Sequence, residues 1–167
     1  MTAPTTFVAH GGALDDWLER RRALGLDKRD EIWDGIYHVT PHAHASHARL
    51  AIRLVVALHG RAAQRGLEGL AEFNLGVEND FRVPDLAFVP VDAELQLYVP
   101  TATIVVEIVS PDDASRAKVP FYLARGVREV WLVDPEQRTV EVVTPEGASH
   151  SQVLDLTTGE VAGLLGW

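Results

Sequence analysis

Asp85, Glu107 and Lys118 are the residues of this 167-residue chain whose types and spacing bear most directly on chemistry. Glu107 interrupts Ile104-Val-Val-Glu-Ile-Val-Ser110, a strand pattern apolar on both faces, so its carboxylate falls where burial strips hydration. Asp85 follows Pro84 in Arg82-Val-Pro-Asp-Leu-Ala-Phe-Val-Pro90, where alternation puts Val83, Asp85, Ala87 and Val89 on one face. If the two strands pair, the two acids converge. Acids so placed either repel, with one pKa strongly raised, or share a divalent cation that neutralises both. Lys118 lies in the segment after the Glu107 strand, within reach of its end, where an ammonium can orient an attacking water or stabilise charge on a phosphate beside a metal. Each residue alone has a plainer reading: Glu107 as a paired core carboxylate, Lys118 as a solvated helix residue, Tyr122 as packing.

The elements that must position these groups are legible in outline. Leu14, Trp17, Leu18 and Leu24 have helical spacing in a segment with acids early, bases late and Gly25 as its stop. Asp34-Gly35 separates two apolar pairs and marks a two-residue hairpin. A long helix is expected over about Ser46 to Arg65, with Leu50, Leu54, Val55 and Leu58 on one stripe. Strand-like runs follow at Ala71–Glu78, Arg82–Pro90 and Thr103–Ser110. The segment from Asp112 to Val127 reads as a helix; Pro120 inside it implies either a kink or a start near Val119. Two further strands flank a turn at Asp134-Pro135. This order gives an α/β (α+β) fold, a mixed β-sheet flanked by helices, in a single domain over 1–167 with residues 1–10 flexible.

Composition narrows the class. An apolar fraction of 47% and a charged fraction of 23% suit an ordinary globular protein. Cysteine is absent, which excludes disulfides and thiolate zinc sites and fits a reducing, cytoplasmic setting. The sequence shows neither a signal-peptide pattern nor an apolar run of membrane-spanning length. The net charge of −9 argues against a large basic nucleic-acid footprint. Acids gather between residues 67 and 110, where eight face only Arg82, and such a concentration can hold a metal.

Together, RVPDLAFVP, VVEIVSP, the Lys and Tyr of AKVPFYLARGV, and EVWLVDPEQRTVEV resemble the Uma-two family of restriction endonucleases, a branch of the PD-(D/E)XK nuclease superfamily. The resemblance extends upstream to EIWDGIYHVTP and His47 and spans roughly residues 10 to 145. It implies a restriction-endonuclease-like fold and metal-assisted hydrolysis of phosphodiesters, with Asp85 and Glu107 binding Mg2+ or Mn2+. The motif's lysine would fall at Val109; its counterpart here is Lys118 in the next helix, and Glu31 matches an N-terminal acid that completes such sites. The implied catalytic set is Glu31, Asp85, Glu107 and Lys118, with His47, Tyr122, Arg49 and Arg53 as supporting or substrate-contacting residues. The implied partners are nucleic acid, expected to be DNA, and a second copy of the chain in a homodimer.

Two other readings compete. His38, His42, His44 and His47 invite a histidine-ligated metal site of the cupin type, although they lie in a turn entering a helix. A nuclease fold without catalysis, serving as a binding or scaffold module, would suit the acidic net charge and the missing in-strand lysine.

Overall fold

The computed structural model describes residues 5–7, 12–40, 44–110 and 114–167. Asp34 and Gly35 both have positive φ, 49° and 81°, as a tight hairpin turn requires, and they join β2 (Glu31–Trp33) to β3 (Ile36–Val39). Within residues 1–10, Thr5–Phe7 forms β1 and pairs with β3; the remainder of that segment lies outside the described residues. The first helix, α1 (Gly12–Ala23), forms where its spacing predicts, yet its stripe is not a core stripe: Trp17 is 37% exposed and Leu24 64%. Its apolar positions are too few to cover a sheet, and polar contacts hold it instead. Arg21 stacks over Trp17 and pairs with buried Asp30 at 2.8 Å.

The strands form two mixed sheets, not one. The first contains β1, β3 and β2, then β6 (Asp80–Arg82), β5 (Asn74–Val77) and β8 (Tyr98–Val99), in that order. The second runs β11 (Thr139–Val143), β10 (Glu129–Asp134), β9 (Ile104–Ile108), β7 (Leu86–Pro90) and β4 (Leu67–Leu70). Its β9 and β10 are parallel and joined through α3 (Ser115–Ala124), while its other pairings are antiparallel.

Alternation along β9 sorts the second sheet's faces. Ile104, Val106 and Ile108 pack toward α2 (Ala45–Gln64), beside buried Leu50, Leu54 and Leu58. Val105 packs on the opposite side with Tyr122 of α3, and Glu107 falls on that same side. Truncating Leu54 or Leu58, both 0% exposed, is expected to cost about 2–5 kcal/mol. The C-terminal α4 (Thr158–Leu164) starts at a Thr157–Glu160 capping box and buries Val161 and Leu165 in this core, where Trp167 also packs.

Two details bear on the site. First, α3 begins at Ser115, so Lys118 lies inside it, and Pro120 interrupts its second turn by withholding the N–H that would reach the Arg116 carbonyl. Pro111, Asp112 and Asp113, the expected acidic start, lie outside the described residues. Second, Gly76 of β5 has φ of 136°, and a Cβ there would run into the Asp80 carbonyl oxygen and lie 3.1 Å from the Phe121 ring of α3. Sheet and helix meet there without space for a side chain.

Candidate active site

β7 and β9 pair as expected, with Leu86 opposite Val106 and Ala87 opposite Val105. One residue beyond the ladder, this register sets Asp85 opposite Glu107. Asp85 is not within a strand, however; it occupies a bend after Pro84, and β7 begins at Leu86. That release from the ladder leaves its carboxylate free to turn to other partners. Oδ2 accepts the Ile108 backbone N–H at 2.9 Å. Oδ1 lies 2.9 Å from Arg29 Nη2 and 2.8 Å from His47 Nε2. The imidazole contact is close but not aligned as a hydrogen bond, so His47 Nε2 remains a buried polar atom without an aligned acceptor. Burial alone would raise the Asp85 pKa; His47, the Ile108 N–H and Lys118 outweigh it and hold the carboxyl below its ordinary value.

Glu107 is 2% exposed and less well compensated. The Tyr122 hydroxyl donates to Oε1 at 2.5 Å, while Lys118 Nζ stays 3.5 Å from both oxygens. Burial pushes its pKa up to about 8 against the attraction of Lys118, and the charges of Asp85 and Glu31 add to the rise. Lys118 leans toward Glu31, at 2.8 Å from Oε1. Burial would lower the ammonium's pKa, but Glu107 and Glu31 overcome that and raise it. Glu31 is fixed in turn by the Val83 N–H at 2.8 Å and the Trp33 indole N–H at 2.7 Å. Glu31, Asp85, Glu107 and Lys118, brought from both sheets and α3, therefore meet in one buried cluster.

A family model described as "Uma2: Putative restriction endonuclease" matches residues 15–164. The chain belongs to the Uma2 family. This Uma2 chain is also similar to a solved structure from Anabaena variabilis ATCC 29413, described as a putative nuclease belonging to DUF820. The likeness has a TM-score of 0.65 at 18% identity and covers 81% of this chain and 90% of that one. The α/β nuclease fold is thereby shown. No curated protein gives a significant match.

Among the described residues of the Uma2 chain, no three His, Asp or Glu side chains form a ready-made metal cage. The histidines disperse: His44 caps α2 by accepting from Ser46 N–H, His38 stacks on Trp33 with ring centroids 4.5 Å apart, and only His47 enters the cluster. His42 lies outside the described residues. The cupin-type ligand set is therefore not assembled by the residues described. Asp85 and Glu107 nevertheless suit a hard divalent ion, which is commonly held by one or two carboxylates with water and substrate oxygens completing the shell. Three carboxylates, Glu31, Asp85 and Glu107, gather around Lys118 and Arg29, and Arg29 is shared with Glu72 outside the cluster.

Arg53, a candidate supporting or substrate-contacting residue, donates to the Leu165 carbonyl at the end of α4, and Arg49 is exposed on α2. Arg29, the Ile108 N–H and the Val83 N–H escaped the sequence reading. Arg29 is 56 residues from Asp85, and no local pattern marks it. The nearest signal was its place two residues before Glu31.

Among the described residues no helix is long and apolar enough to cross a membrane.

Proposed function

We propose that this Uma2 chain is an endonuclease that hydrolyses phosphodiester bonds in DNA, with Mg2+ or Mn2+ held by Asp85 and Glu107. The observation that carries the reading is the opposed pair itself: a buried Glu107 short of positive charge, across from Asp85, with Lys118 beside it. A bound divalent ion would lower the pKa of a water and polarise the phosphate. Lys118 stays protonated between Glu31 and Glu107, so it acts as an electrostatic donor, placing a water or stabilising charge on the phosphate, and not as a base. Glu31 holds the ammonium in place, and Tyr122 orients the Glu107 carboxylate. His47 and, before an ion enters, Arg29 secure Asp85. A cytoplasmic homodimer completes the reading; support for pairing comes from Val91, Leu95 and Leu97, each at least half exposed on one loop.

Chelated protein titrated with Mn2+ by calorimetry, followed by incubation with plasmid and oligonucleotide DNA, tests the proposal. We expect a specific site in the wild type, its loss in Glu107→Gln, and DNA cleavage abolished by Glu107→Gln, Asp85→Asn and Lys118→Met. Absence of a specific site together with absence of cleavage would favour a non-catalytic binding module.

A further inference from the structure

Arg29 is placed where the proposed reaction needs a second cation, and it is only half used. Its guanidinium bridges Asp85 Oδ1 and Glu72 Oε1, both at 2.9 Å, from a side chain 16% exposed. Its Nε is buried with no acceptor. A donor enclosed so far from water normally finds an acceptor, because its hydration is lost without replacement, and Arg82 Nε is the other guanidinium nitrogen left so among the described residues. The anchor on the far side, Glu72, is 55% exposed on the link between β4 and β5 and adopts a positive φ of 52°. The guanidinium thus has a firm contact on the proposed metal ligand, a solvent-facing tether, and a spare donor between.

We propose that Arg29 is a mobile counter-cation of the site: it occupies Asp85 while the divalent ion is absent, yields that oxygen when the ion enters, and then donates to a phosphate oxygen of the substrate. This deepens the nuclease reading and rests on it. A divalent ion held by the Asp85 carboxylate would compete with Nη2 for its lone pairs, and the like charges would repel. Glu72 keeps the displaced side chain nearby. Nη2 and Nε then have no protein acceptor, and a planar fork of N–H donors next to a metal-bound oxyanion matches a phosphate's geometry.

The test compares wild type, Arg29→Met and Arg29→Lys, each first shown folded by circular dichroism and thermal melting. Mn2+ affinity is measured by calorimetry, then inorganic phosphate affinity in saturating Mn2+. Losing one charged hydrogen-bond competitor should tighten Mn2+ binding about tenfold in Arg29→Met. The same variant should bind phosphate about tenfold more weakly, and Arg29→Lys should fall between in both measurements. Wild-type Mn2+ binding that Arg29→Met leaves unchanged or weakens would overturn the proposal while leaving the metal site standing. Undetectable Mn2+ binding in every variant would overturn both. Should Arg29→Met fail to fold, the Lys variant decides: Mn2+ binding no tighter than wild type, or phosphate binding undiminished, overturns the proposal.

Discussion

Glu107 and Glu129 are buried carboxylates on the neighbouring parallel strands β9 and β10, and the fold treats them in opposite ways. Glu129, 1% exposed, accepts from three neutral donors: the Val153 N–H at 2.7 Å, the Ser151 hydroxyl at 2.7 Å and the Trp131 indole at 2.9 Å. It falls on the α2 side with Trp131 and pins the Ser151–Leu156 turn to the sheet. Glu107, on the α3 side, has a single short hydrogen bond, a lysine held at arm's length by a rival acid, and another carboxylate opposite. A carboxylate kept for architecture is given dipoles that exhaust its lone pairs. One kept among like charges stores unfavourable electrostatics that a cation can discharge.

The contrast breaks most visibly if Glu129 is removed. Glu129→Ala leaves three buried donors without an acceptor and should lose about 3–5 kcal/mol in urea denaturation. Glu107→Gln keeps an oxygen for Tyr122 and removes a buried charge, so without metal it should be at least as stable as wild type. Equal losses in the two variants would make Glu107 a second architectural carboxylate.

A second effect is pH dependence. Between the ordinary value of 4.5 and about 8, the folded protein retains the Glu107 proton that the unfolded chain has released. The native state therefore binds more protons in that window. Its stability should be full below pH 4.5, fall as pH rises, and level off above 8, by on the order of 5 kcal/mol. Asp85, held below 3.8, acts in the opposite sense: its contribution is present above 3.8 and fades at lower pH, outside this window. Glu107→Gln should flatten the upper slope. Denaturation series at pH 5, 6.5 and 8 on both proteins check this, and parallel curves would sink the assignment.

The smallest expected change is that of Tyr122→Phe, about 1 kcal/mol for one lost hydrogen bond in the absence of metal. Because that hydroxyl lowers the Glu107 pKa, its loss should move the end of the slope to higher pH. An unmoved midpoint would mean that Tyr122 only packs.

Much of this was legible in the sequence because it follows from local rules. The apolar run around Glu107 gives a buried strand, Asp34-Gly35 gives the hairpin, and alternation gives the face that Glu107 shares with Val105. Asp85 and Glu107 converge as strand pairing implied. What stayed hidden depends on distant pairings or on energies that patterns do not weigh. Arg29 and the Val83 N–H reach their acids across 56 and 52 residues. The α1 stripe has the spacing of a core helix, but its segment carries too many charges to be buried. Two sheets rather than one arise because β5, β6 and β8 pair with the N-terminal hairpin and leave β7 to β9. Pro120 suggested either a kink or a helix start near Val119; the helix starts at Ser115 and continues through Pro120, with Phe121 and Tyr122 packed on the sheet.

Gly76 carries an implication for the accessible variation of this protein. Any substituent there would run into the Asp80 carbonyl oxygen and the Phe81 Cα of β6 and then press on the Phe121 ring of α3, the helix that carries Lys118. In a saturation library scored for function, position 76 should therefore tolerate almost nothing, and its failures should trace first to a broken β5–β6 pairing and then to an α3 pushed off the sheet. The reach of the site into sequence space is wider than the list of residues that touch it, because one missing methyl group sets how closely helix and sheet approach.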